Sequence, residues 1–315
     1  MEERLIALLR LAIKYNATDI HFYVAYQDVK IQMRIDGRLR DVVSKFGDYK
    51  LIRYLQYLAN LDIGNLLEPQ TGQFEMEIDG NNLSLRFAVI NSLNNTNAVL
   101  RILNSNIRVS SDNLSHITYQ NSYFKSLLEY DCGLVIFSGP TGSGKTTTLY
   151  SLLKSVKNKK IYSIEDPIEV YNENIVQIEV NEAIGLDYEA GIKQILRHDP
   201  DIIMIGEIRD TKAAKMAVVA ANTGHLVLTT LHASRASSCV SRLIDFGVNE
   251  DHLYENLLCI SNQRMMVNKN TKEKIVLYEI MNIDELTFYR NNKMHSEYFN
   301  NINSQISKGI KDGIF

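Results

Sequence analysis

Residues 134–148 read LVIFSGPTGSGKTTT, and the fold of the chain turns on this stretch. Leu134 to Phe137 are four apolar residues in a row, the length and composition of a short buried strand. A glycine-rich turn follows, and then a Thr/Leu/Tyr run able to open a helix. Gly139, Gly144, Lys145 and Thr146 fit the spacing G-x-x-x-x-G-K-S/T. Gly139, Pro140, Thr141, Gly142, Ser143, Gly144, Lys145, Thr146 and Thr147 therefore make a candidate phosphate-binding loop. Glycines let backbone N–H groups curl around an anion with no Cβ in the way. The helix opening near Lys145 adds its positive N-terminal end at the same spot. Lys145 is of a length to reach β- and γ-phosphates, and the Thr146 hydroxyl suits Mg²⁺. A glycine-rich turn with a surface lysine would match the same pattern. The strand before and the helix after supply the context that separates the two readings. The stretch implies binding of a nucleoside triphosphate such as ATP.

Outward from this loop, strands alternate with longer helices from about residue 119, as a parallel sheet requires. Helical patterns cover 123–130, 145–156, 188–196 and 213–221, and strand patterns cover 160–164, 201–205 and 225–231. Residues 234–265 read as mostly helical, KIVLYEIM (274–281) as strand-like, and the Asn-rich tail from Asn291 is weakly patterned. Upstream the pattern differs. Leu5, Leu8, Leu9, Ala12 and Ile13 recur at helical spacing, and hairpin-like strands follow at 20–24 and 29–35, with a turn at Asp36-Gly37. A helix at 51–61 precedes strands at 73–78 and 83–90. The chain is thus α/β, with a small mixed α/β domain over 1–108, a linker over 109–118, a second α/β domain over 119–250 with a mainly parallel sheet, and a helical region over 251–315.

The 315 residues suffice for two domains with cores of their own. A net charge of −3 gives no basic field for nucleic acid or anionic membrane. The three cysteines, Cys132, Cys239 and Cys259, are scattered and lack C-x-x-C spacing, which suits a reducing cytosol and argues against zinc. The N-terminus is too charged and periodic for a signal peptide, and no apolar run approaches the roughly 20 residues of a membrane span. A cytoplasmic protein is expected, with any membrane association supplied by partners.

In a parallel α/β sheet the chemistry sits at the carboxyl ends of strands. Here one strand ends in the phosphate loop, a second in Glu165, Asp166 and Glu169, and a third in Glu207, while His225 and His232 bracket a fourth. Glu207 is a candidate to polarise and orient an attacking water. Gly206 stands where many such enzymes carry an Mg²⁺-binding Asp, which leaves the metal to Thr146, water and the acidic cluster. The two histidines are candidates to sense or orient groups near the γ-phosphate.

The blocks GPTGSGKTTTLY, IEDPIE, LRHDPDIIMIGEIRD and TGHLVLTTLHA resemble, in order and rough spacing, the Walker A, Asp box, Walker B and His box of the secretion/type IV pilus ATPases. ATDIHF (17–22), RIDGRL (34–39) and PQTGQF (69–74) extend the resemblance over about residues 15–265. The resemblance implies a PAS-like N-terminal domain, a RecA-like ATPase domain, and a homo-hexameric ring in which the N-terminal domain of one subunit packs on the ATPase domain of the next. It also implies that arginines of the N-terminal domain, here Arg86 and Arg101, reach the nucleotide. The four-cysteine zinc module and the large N-terminal extension of many members are missing. The short, zinc-free pattern is most similar to the competence-type ATPases of Gram-positive DNA uptake. Those drive assembly of a pilus or pseudopilus through a polytopic membrane platform protein, and so act on pilins indirectly and on nucleic acid not at all. A retraction motor is the alternative within the family, and a RecA-like nucleic-acid motor the alternative outside it.

Overall fold

The computed structural model describes residues 1–25, 28–35, 37–42, 48–65, 68–92, 95–103, 109–297 and 299–314. Asp36 of the expected Asp36-Gly37 turn, and residues 104–108 at the end of the first expected domain, lie outside them. The chain divides into two units, Met1–Asn106 and Ile107–Phe315.

The first unit contains α1 (Glu2–Lys14), β1 (Asp19–Ala25), β2 (Asp28–Ile35), β3 (Arg38–Val42), α2 (Tyr49–Leu58), β4 (Gln70–Ile78), β5 (Asn81–Ser92) and β6 (Asn95–Leu103). The strands form one sheet in the order β3-β2-β1-β6-β5-β4, with every pair antiparallel. Leu5, Leu8, Leu9 and Ala12 of α1 and Leu51, Ile52 and Leu55 of α2 bury their helical stripes with alternate strand residues such as Ile20, Phe22, Leu85, Phe87 and Leu100. The strand period of two sends the intervening side chains to the opposite face. Asp19, His21, Arg34, Arg86 and Arg101 are all intervening residues.

The second unit adds α3 (Thr118–Ser126), β7 (Gly133–Ser138), α4 (Lys145–Leu153), β8 (Ile161–Glu165), β9 (Ile175–Glu179), α5 (Tyr188–Ile195), β10 (Ile202–Ile205), α6 (Thr211–Asn222), β11 (Leu226–Leu231), α7 (Ala236–Asp245), α8 (Glu250–Asn256), β12 (Leu257–Val267), β13 (Lys274–Met281), α9 (Ile283–Asn292) and α10 (Ile302–Lys311). Its sheet runs β13-β12-β7-β11-β10-β8-β9 and is parallel except for the β12–β13 pair. The central strands β7, β11, β10 and β8 are buried along their whole length, as expected when helices cover both faces. One core joins Ile136, Ile203 and Val227 to α5, α6 and α7, and the other joins Val135, Phe137 and Met204 to α3 and α4.

Two readings of the sequence change. The stretch expected as a linker is folded into the second unit. Leu114 is buried in its core, Ser115 N donates to Asn121 Oδ1 at 2.8 Å, and Thr118 already opens α3. The mostly helical reading of 234–265, and with it the helical region over 251–315, gives way at Leu257. There LLCISNQRMMV becomes β12, paired with β7 on one side and β13 on the other. A fully buried apolar run looks alike as strand or helix segment, and here the partner strands decide. In the weakly patterned tail, Asn301 caps α10, and Ile302 packs with Leu277 of β13.

Candidate functional site

The candidate phosphate loop joins the end of β7 to the start of α4, as the alternation of apolar and glycine-rich residues requires. Gly139 has φ +142°, and a Cβ there would come within 2.3 Å of the Gln263 carbonyl oxygen, so only glycine fits. Gly144 is left-handed, with φ +91°, and hands the chain to α4. The Lys145 Nζ donates to the carbonyl oxygens of Gly139 (3.0 Å) and Pro140 (3.2 Å), which folds the ammonium back over the loop. Burial lowers the Lys145 pKa, and the nearby charges of Glu207 and Glu169 oppose that shift.

A cleft of 620 Å³ opens at the carboxyl ends of β7, β8, β10 and β11. Thr141, Gly142, Gly144, Lys145, Thr146 and Thr147 line it from the loop. Glu165, Asp166, Glu169, Glu207 and His232 line it from the other strand ends. Gly139, Pro140 and Ser143 shape the loop from behind through backbone contacts. Glu165, 3% exposed, accepts hydrogen bonds at Oε1 from the Tyr150 hydroxyl (2.6 Å), Ser163 Oγ (2.8 Å) and Gln177 Nε2 (3.3 Å). Burial nevertheless holds its carboxyl above the usual range, with those three donors pulling the other way. Gly206 has a local reason as well, since a Cβ there would press within 3.2 Å of Glu165 Cγ.

Glu207 stands between Arg209 and His232, with Arg209 Nε 3.1 Å from one carboxylate oxygen and His232 Nε2 3.4 Å from the other. Arg209 continues to Asp166 Oδ2 at 3.1 Å. Burial lowers the His232 pKa, helped by Lys145, Arg242 and Arg209 and opposed by Glu207.

His225 is not in this cleft. It precedes β11, where its Nδ1 lies 3.2 Å from both Thr223 Oγ1 and the Ala220 carbonyl oxygen. The strand between the two histidines spans ~20 Å at about 3.3 Å per residue, so only His232 reaches the carboxyl end. Arg86 and Arg101 are in the first unit, directly opposite one another on β5 and β6. Arg101 Nε donates to Asp19 Oδ1 at 2.7 Å, and Arg34 Nε lies 3.9 Å from Asp19 Oδ2. Burial disfavours the Asp19 carboxylate, but Arg101 and Thr18 outweigh it and hold the pKa below the usual range.

The sequence reading missed the residues that brace the site. Gln263, fully buried on β12, donates to the Ser143 carbonyl oxygen at 2.8 Å, and Asn262 donates to Ser138 Oγ at 2.9 Å. Tyr150, Gln177 and Arg209 were missed too. For Arg209 the signal was present, an arginine two residues after Glu207 at a strand end.

Residues 1–303 match the family model described as type II/IV secretion system protein. The competence protein ComGA of Bacillus subtilis is 40% identical over 265 residues, which cover 82% of this chain and 74% of that protein. The putative type II secretion system protein E of Escherichia coli is 39% identical over 265 residues. That alignment covers 82% of this chain and 54% of the relative, so the chain spans about half the length of the secretion protein. Among solved structures, the pilus retraction motor PilT with bound ADP superposes with a TM-score of 0.79 at 25% identity, covering 98% of this chain and 94% of that one.

Proposed function

This chain belongs to the type II/IV secretion system protein family, whose secretion and pilus members are ATPases, and on that premise we propose that it is a hexameric motor. It hydrolyses ATP to drive assembly of a type IV pilus-like fibre or competence pseudopilus, in the service of DNA uptake. It works at the cytoplasmic face of the membrane, held there by a polytopic platform protein, and moves pilins without touching them or nucleic acid. Among the described residues no helix is long and apolar enough to cross a membrane. The observation that carries the reading is the convergence of Lys145, Thr146, Glu165, Glu207 and His232 on one cleft.

Each residue then has a task. The loop amides and Lys145 bind the phosphates. Glu207 orients the attacking water, and His232 and Arg209 fix the carboxylate that does so. Glu165 is held by Tyr150, Ser163 and Gln177, and Asp166 and Glu169 complete the acidic side. No group of three or more His, Cys, Asp or Glu side chains among the described residues could hold a metal by itself. The oxygen donors around Thr146 still fit Mg²⁺, which takes few protein ligands and fills its shell with water and phosphate oxygens. Thr146 would hold it, and the ion when bound supplies charge neutralisation at the phosphates. Arg101 and Arg86 act in trans on a neighbouring subunit's nucleotide, stabilising charge as phosphoryl transfer proceeds.

The 40% identity to ComGA favours assembly over retraction. A deletion strain scored for transformation and for surface pili tests the direction of work. Loss of both, unrescued by Glu207→Gln, is the expected result. Excess pili in the deletion strain would make the protein a retraction motor.

A further inference from the structure

Side chains along β12 alternate between two destinations. Gln263 braces the phosphate loop through Ser143, and Met265 lines the nucleotide cleft. Asn262 turns the other way, donating to the Ala233 carbonyl oxygen at 3.0 Å. Arg264 follows it into a separate cavity of 410 Å³, which Arg235 also lines.

This second cavity has an unusual charge balance. Arg235 is exposed at the start of α7, and Arg264 is half-buried. Neither is within ion-pair distance of a carboxylate among the described residues, whereas Arg101, Arg209 and Arg290 each meet one. Glu279 is the carboxylate in the wall, and it is already committed. Its Oε1 accepts Ala236 N–H at 2.8 Å and its Oε2 accepts Ile302 N–H at 3.2 Å, so it neutralises the first turns of α7 and α10. It is 4% exposed. The far wall is a His295–Phe299 stack, with ring centroids 3.8 Å apart and planes 4° from parallel. His295 Nδ1 is engaged by Glu285 Oε1 at 2.9 Å, which leaves Nε2 as its remaining polar atom. Two arginines without carboxylate partners, beside an aromatic wall in a concave space, match what recognises a phosphate on a small organic body.

We propose that this cavity is a second anion site, distinct from the nucleotide cleft, which takes a small phosphate-bearing molecule through Arg235 and Arg264. The site lies one residue along β12 from the Gln263 brace of the phosphate loop.

Pyrophosphate is a suitable probe, titrated calorimetrically into protein saturated with ADP so that the nucleotide cleft is filled. One saturable site is expected. It should survive Lys145→Ala and weaken by about tenfold or more in Arg235→Gln and in Arg264→Gln, the loss of charged hydrogen bonds. Arg235→Gln alters an exposed side chain, and unchanged ADP affinity in that variant certifies a folded domain. Absence of saturable binding to the ADP-saturated protein overturns the proposal. So does equal binding by the arginine variants, and so does loss of binding in Lys145→Ala, which would trace the probe to the phosphate loop.

Discussion

Tyr150→Phe isolates one hydrogen bond in the proposed nucleotide site. The Tyr150 side chain is 1% exposed, and its hydroxyl donates to Glu165 Oε1 at 2.6 Å. Burial pushes the phenol pKa up, so Tyr150 remains a donor throughout the working pH range. Phenylalanine keeps the ring and its packing and removes only the donor. Burial holds the Glu165 carboxyl above the usual range despite Tyr150, Ser163 and Gln177. The folded chain therefore binds this proton more tightly than the unfolded chain. The associated stability is complete below the unfolded carboxyl pKa of about 4.3 and is lost as pH rises through the folded value. Without Tyr150 the folded pKa rises further, and the loss on the alkaline side deepens. A hydrogen bond to an ionised carboxylate is worth about 1.5–3 kcal/mol and a neutral one about 1 kcal/mol. Thermal unfolding, followed through the transition that ADP shifts, should drop by about 3–12 °C at alkaline pH above the folded Glu165 value, using about 2–4 °C per kcal/mol for a unit of this size. At pH 4, below the unfolded carboxyl pKa of about 4.3, the drop should be roughly half of that or less. An equal drop at both ends of the range, or a larger one at pH 4, would refute the assignment of Tyr150 as the donor that keeps Glu165 ionisable.

Three further predictions concern the loop, the histidine and the first unit. Gly139→Ala forces a Cβ to within 2.3 Å of the Gln263 carbonyl oxygen at φ +142°, so ADP affinity by calorimetry should fall by about 100-fold or more, from strain of about 1–3 kcal/mol plus the displaced loop. His232 is held neutral by burial and by Lys145, Arg242 and Arg209 against Glu207, so its contribution is present above about pH 6.5 and lost as pH falls through its lowered pKa. His232→Gln should flatten the acid limb of the stability–pH curve between pH 7 and pH 5, and an unchanged limb would assign that titration elsewhere. Asp19→Asn removes the carboxylate that holds Arg101, and should lower kcat for ATP by about tenfold while leaving ADP affinity unchanged; a loss confined to ADP binding would contradict the role given to Arg101.

The parts of the site legible in the sequence were the local ones. The phosphate loop is one continuous stretch whose glycines and lysine announce their chemistry, and Glu165, Glu207 and His232 each close an apolar strand. What the sequence hid was supplied by pairing between distant segments. Gln263 reaches Ser143 only because β12 lies beside β7, and the same burial made 257–267 look helical in one dimension. Gln177 reaches Glu165 from β9, the edge strand beside β8. His225 misled for a geometric reason, because a strand carries its two flanking residues to opposite ends of the sheet. In the first unit, the registers Asp19↔Arg34, Asp19↔Arg101 and Arg86↔Arg101 set three arginines and an aspartate in one cross-strand row. That row cannot be read until the strand order is known.

The central claim is that ATP is hydrolysed at a site completed by a neighbouring copy of the chain. Mg-ATP hydrolysis per subunit, measured against protein concentration for the wild type and for Arg101→Ala, tests it most directly. Specific activity that climbs with concentration in the wild type and stays low and flat in Arg101→Ala is the predicted result. Concentration-independent activity with a normal Arg101→Ala would contradict the claim, leaving the nucleotide cleft in place and removing the ring mechanism built upon it.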